Sequence, residues 1–139
     1  MKKLIIITLL LILISFFISS CDSGSSNNSI VGRWQLIEEN NIPITEKLTT
    51  APIYKFKEDG RMVISVKTLK GRPLNYTTEE GEEFNKIIIS TPEGGSVYGI
   101  YSLEDDGKIL LLKTNSDNEM YPTNFDTGDG NTLEKFTRI

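Results

Sequence analysis

Only one cysteine, Cys21, and no histidine occur in the 139 residues. The lone thiol is the strongest nucleophile of its segment. One cysteine cannot form an internal disulfide. With so few Cys and His ligands, no structural zinc site is expected. Ser-His-Asp and Cys-His catalysis need an imidazole and are excluded. Carboxylate and serine–lysine chemistry remain. The acidic run Glu79-Glu80-Gly81-Glu82-Glu83 offers candidate acids, but nothing holds two of them at a working separation, so a solvated loop is expected. Asp126, Asp129 and Asn131 resemble part of a calcium loop. Gly128 and Gly130 fall on two of its ligand positions, and a β-turn is the better reading. Lys67, Lys70 and Arg72 form a small basic cluster that could hold an anionic head group, although a solvated loop is expected there too. No catalytic residue, metal ligand or cofactor follows from these patterns, and the chain is not expected to be an enzyme.

The surroundings of Cys21 are more informative. Met1-Lys2-Lys3 is a short positive start, and Leu4 to Ile18 is apolar apart from Thr8 and Ser15. This run is short for a spanning helix of about 20 residues and fits the apolar core of a secretory signal. Ile18-Ser19-Ser20-Cys21 resembles the lipobox of bacterial lipoproteins: an aliphatic residue, two small residues, then cysteine. The resemblance implies cleavage between Ser20 and Cys21, a diacylglycerol on the Cys21 thiol, and acylation of the new amino group, with palmitate as the kind of chain. Each buried methylene contributes about 0.8 kcal/mol, so two or more acyl chains anchor a protein stably. The alternative is an uncleaved signal anchor with an inert cysteine. The place of the only cysteine favours lipidation. Residues 21–29 then read as the lipidated Cys21 and a flexible Gly/Ser/Asn-rich tether. The expected location is the cell envelope, lipid-anchored outside the cytoplasm. Asp22 retains lipoproteins at the inner membrane in some bacteria while others sort differently, so either membrane fits.

Removing residues 1–20 leaves about 119 residues, enough for one domain with a real core. The formal charge is -4, and losing Lys2 and Lys3 takes it to about -6. An acidic chain argues against a nucleic-acid partner and gives no polybasic route to a membrane.

Residues 30–139 alternate short β-rich runs with turn signals. Strands are expected at Ile30–Glu38, Ile53–Lys57, Arg61–Thr68, Leu74–Thr78, Lys86–Ser90, Ser96–Glu104, Lys108–Thr114, weakly at Met120–Asn124, and at Thr132–Ile139. Asp59-Gly60 and Asp105-Asp106-Gly107 mark hairpins, and Asp129-Gly130-Asn131 a further turn. Only Ile44–Thr50 suggests a short helix, with Thr45 as N-cap. Eight or nine such strands in about 110 residues predict an antiparallel sandwich or barrel.

Four short motifs carry a resemblance. Val31-Gly32-Arg33-Trp34 looks like the Gly-x-Trp opening of lipocalin-like barrels. Phe56-Lys57-Glu58-Asp59-Gly60 resembles the hairpin common in small bacterial lipocalin-like lipoproteins. Gly99-Ile100-Tyr101 resembles their mid-barrel strand, and Phe136-Thr137-Arg138 their last one. The resemblance covers residues 30–139 in outline. It implies an all-β, antiparallel up-and-down barrel of about eight strands, with Arg138 packed on Trp34 as the plug of one end. It also implies a small apolar ligand inside, for which Tyr54, Phe56, Ile64, Tyr98 and Ile100 are the lining candidates.

One pattern points elsewhere. Ile87-Ile88-Ile89 and Ile109-Leu110-Leu111-Leu112 are apolar on both faces, unlike half-exposed strands. An outer apolar patch is therefore expected near Ile88, Tyr101, Leu110 and Leu112. It would meet a protein partner, a second copy, or the chain's own Ile42–Ile53 segment. The competing reading is thus a structural or protein-interaction lipoprotein, an adaptor or inhibitor with a filled barrel.

Overall fold

The computed structural model describes residues 29–44, 50–115 and 119–139. The expected leader, Ser20, Cys21 and the tether up to residue 28 lie outside the described residues, as do residues 45–49 of the expected helix. Among the described residues there are ten strands and no helix. In chain order they are β1 (Gly32–Glu39), β2 (Ile42–Pro43), β3 (Ile53–Phe56), β4 (Arg61–Val66), β5 (Leu69–Lys70), β6 (Leu74–Glu79), β7 (Asn85–Ser90), β8 (Ser96–Glu104), β9 (Ile109–Asn115) and β10 (Thr132–Arg138).

Turn chemistry explains most of the connections. Gly60 has φ 75°, which a glycine adopts without steric cost, and Asp59 accepts a hydrogen bond from the Arg61 amide at 3.1 Å. Asn40 and Asn41 both have positive φ, 50° and 63°, which suits the tight turn from β1 into β2. Asp105, Asp106 and Gly107 form the turn between β8 and β9, all with positive φ.

Eight strands, β1, β3, β4, β6, β7, β8, β9 and β10, pair antiparallel in that order, and β10 returns to pair with β1. The result is a closed up-and-down barrel, in which each of these eight strands has a partner on both sides. β2 and β5 are two-residue extensions that pair with the far ends of β1 and β4. The weakest seam joins β4 to β6 through Arg61 opposite Asn75 and Met62 opposite Leu74.

The barrel has two ends. At the lower end β1 begins, and the β3–β4, β6–β7 and β8–β9 hairpins turn. The upper end carries β2, β5, the β7–β8 turn, the end of β9 and the start of β10. Between them the interior is packed with side chains. Trp34, Phe56, Met62, Ile87, Leu110, Leu112 and Phe136 are all fully buried.

The expected strand at Met120–Asn124 is absent. Polar groups of that stretch are taken by side chains instead of a ladder: the Asn115 amide donates to the Met120 carbonyl at 3.2 Å. The extensions β2 and β5 were not anticipated, because two-residue strands leave no periodic pattern.

Candidate functional site

The lower end is closed by Trp34 and Arg138, which stand opposite each other on β1 and β10. Trp34 is fully buried, and its indole N–H donates to the Ile30 carbonyl at 2.7 Å. The Arg138 guanidinium lies 4.2 Å from the ring centroid, a favourable cation–π geometry. It also donates to the backbone carbonyls of Gly107 (2.7 Å), Val31 (3.1 Å) and Ser29 (2.7 Å). Gly32 is required beside them. Its φ is 145°, and a Cβ there would lie 2.9 Å from Arg138 Nη1. The Gly-x-Trp spacing thus makes room for the guanidinium that covers the tryptophan.

Toward the upper end the interior holds a polar pair that the sequence reading missed. The Tyr54 hydroxyl donates to Glu134 Oε1 at 2.7 Å, and the Tyr54 ring packs on Phe136 with centroids 4.7 Å apart. Glu134 pairs with Leu112 on one side and Glu39 on the other. Burial pushes its carboxyl up to about 7; the Tyr54 hydrogen bond opposes this rise and the charge of Glu39 adds to it. Burial and the neighbouring Glu134 likewise push the Tyr54 phenol far above its ordinary value. The signal for Glu134 was present in period two. If Arg138 and Phe136 point inward, so does Glu134.

The outer face of β7–β9 is covered by the chain itself. Lys113 is fully buried, and its ammonium donates to Asn124 Oδ1 (3.4 Å), the Asp126 carbonyl (2.5 Å) and Asp129 Oδ2 (2.6 Å). Of the three residues that resembled a calcium loop, Asp126 contributes its backbone carbonyl and Asp129 its carboxylate to this set, while Asn131 donates to Asp129 instead. A lysine ammonium occupies the centre of the set. That charge, and hydrogen bonds from Asn131, hold the Asp129 carboxyl down at about 2. Tyr98 meets Tyr121 edge-on at 5.3 Å, and Phe84 meets Phe125 at 5.9 Å. The 119–131 segment therefore fills the role expected of Ile42–Ile53.

This cover explains where the predicted site residues fall. Tyr54, Phe56 and Ile64 belong to the inner face, packed in or against the core. Tyr98 and Ile100 do not: Ile100 stands opposite Lys113, and Tyr98 opposite Asn115, on the covered outer face. Tyr101, Leu110 and Leu112, expected outside, are core residues. Of the expected patch only Ile88 is on the outer face, opposite Tyr98 and half-buried. The reason is physical. Both faces of β8 and β9 are buried, so apolar alternation cannot tell inside from outside.

Several cavities open on the surface among the described residues. One of 550 Å³ lies at the lower end between the N-terminal residues Ser29–Val31 and the β3–β4 and β6–β7 hairpins, with Tyr76, Thr78 and Tyr101 in its wall. Three more measure 230, 280 and 300 Å³. None of Tyr54, Phe56, Ile64, Tyr98 or Ile100 lines any of the four. The acidic run sits at the β6–β7 tip, where Glu80, Glu82 and Glu83 are exposed. Among the described residues no group of three metal-ligating side chains converges. Comparison with family models, curated proteins and solved structures finds no match.

Proposed function

We propose that this chain is a lipid-anchored lipoprotein of the cell envelope, of the small lipocalin-like kind, whose barrel is a filled scaffold that acts through its surface on an envelope partner. One observation carries the second half of this reading. Seven large side chains, Trp34, Phe56, Met62, Ile87, Leu110, Leu112 and Phe136, are all buried to under 2 % exposure along the barrel interior. An eight-stranded barrel encloses room for its own side chains or for one small ligand, not both. The anchoring half rests on Ile18-Ser19-Ser20-Cys21 behind an apolar leader. The lipocalin-like half rests on the up-and-down closure and on Gly32, Trp34 and Arg138 acting together at one end.

A second reading has its own support. Tyr54, Ile64, Leu74 and Ile89 are only partly buried against the core, and with Glu134 they stand toward the upper end. A small apolar ligand with a polar group could rest there. Native mass spectrometry of the protein purified from its own envelope separates these readings. The filled-scaffold reading expects the mass of a chain starting at Cys21 with diacylglycerol, and no retained small molecule. A stoichiometric apolar ligand would overturn it in favour of the second reading. An intact Met1 with an unmodified thiol would overturn the anchoring.

A further inference from the structure

Large apolar side chains left exposed are unevenly placed among the described residues. Ile42 (69 %), Val66 (40 %), Leu69 (75 %) and Met120 (64 %) all belong to upper-end connections; Ile139 (51 %) is at the lower end. Val66 and Leu69 stand opposite each other across the β4–β5 hairpin, so their side chains leave the same side of the ribbon. The turn between them is Lys67-Thr68, with Lys67 at φ 57°. Lys67 and Lys70 are exposed. Arg72 follows, its exposed side chain 3.3 Å from Glu93. A hairpin whose turn is flanked by two exposed apolar side chains, with Lys67 in the turn and Lys70 just behind it, on a chain that is otherwise acidic, has the chemistry of a membrane interface. The apolar groups enter the boundary of the acyl region, and the ammonium groups meet anionic head groups.

We propose that the upper rim, led by the β4–β5 hairpin, docks on the anionic surface of the membrane that holds the lipid anchor. This inference rests on the anchoring reading above. Chain length permits it. The eight residues 22–29 reach at most about 28 Å. β8 has nine residues, and such a strand, tilted as in barrels of this size, rises about 23 Å. A tether that leaves the lower end can therefore reach a bilayer that touches the upper one.

The test uses the full acylated chain carrying Leu69→Trp, bound to vesicles of phosphatidylglycerol with brominated acyl chains. Trp34, the only native tryptophan, is fully buried in the barrel and serves as the internal control. The expected result is a blue shift and loss of about half of the new indole's emission, as for a group at the acyl boundary. Trp34 emission in the unsubstituted protein stays unchanged. Adding Lys67→Gln and Lys70→Gln should abolish the quenching. Protein that floats with the vesicles while the new indole stays solvent-exposed overturns the docking and leaves the anchor intact. A tip that is quenched equally without the two lysines overturns the anionic surface as its partner. Protein that does not float at all overturns both the docking and the anchoring.

Discussion

Glu134→Gln isolates the energetic cost of placing a carboxyl in the barrel interior. Burial raises that carboxyl from 4.5 to about 7 in the folded protein. Between these values the folded state keeps a proton that the unfolded chain has already released. Stability therefore falls as pH rises through this window and reaches its lower plateau above pH 7. Each pH unit of the gap weighs about 1.36 kcal/mol, so the full effect is about 3 kcal/mol. Glutamine keeps the volume and an acceptor for the Tyr54 hydroxyl but cannot ionise. Urea unfolding followed by Trp34 fluorescence at pH 4, 5, 6, 7 and 8 reads the difference between the two proteins. The variant should match the parent near pH 4 and exceed it by about 3 kcal/mol at pH 8. Two stability curves that stay parallel across this range would refute the reasoning. So would a Glu134 carboxyl that titrates near 4.5 by NMR.

Three further perturbations test other parts of the structure. Arg138→Ala removes the cation–π contact and three donors to backbone carbonyls; a loss of about 2–3 kcal/mol in urea is expected, with a red-shifted Trp34 emission as water reaches the ring. Gly32→Ala forces a Cβ against Arg138 Nη1 in a backbone region that disfavours side chains, and should lower stability by about 1–3 kcal/mol on thermal or chemical unfolding. Lys113→Met empties the centre of the Asn124, Asp126 and Asp129 oxygen set, so limited proteolysis should cut within residues 119–131 about tenfold faster while the barrel survives. In the parent protein the lowered Asp129 value keeps that ion pair above pH 3.8 and releases it only as pH falls through about 2, which the same digestion with an acid protease checks.

Local chemistry was legible without the fold. Asp59-Gly60 and Asp105-Asp106-Gly107 mark their hairpins because few other residues relieve a positive φ. β8 has its expected bounds, and β3, β4, β7, β9 and β10 lie within two residues of theirs. Strand number and spacing left an antiparallel sandwich or barrel open; the short motifs around Gly32, Trp34 and Arg138 pointed to the barrel, which the closed pairing of β10 with β1 shows. What stayed hidden depends on contacts between distant segments. The sequence cannot say that 119–131 folds over β8 and β9, and without that cover the apolar residues of those strands have two equally good faces. Tyr98 and Ile100 went outward, and Tyr101, Leu110 and Leu112 inward, for that reason.

Alternation along a chain reports whether a side chain is buried; it does not report against what. Sequence alone therefore determined the strands, the turns and the residue types at Trp34, Gly32 and Arg138, because these follow from backbone sterics and short-range periodicity. Tertiary structure alone decided that Lys113 stands among the oxygens of 119–131 and that Glu134 shares its proton chemistry with Tyr54. Both pairings join groups far enough apart in the chain that only barrel closure and the returning connection bring them within hydrogen-bond distance. A buried charge or proton takes its properties from those neighbours.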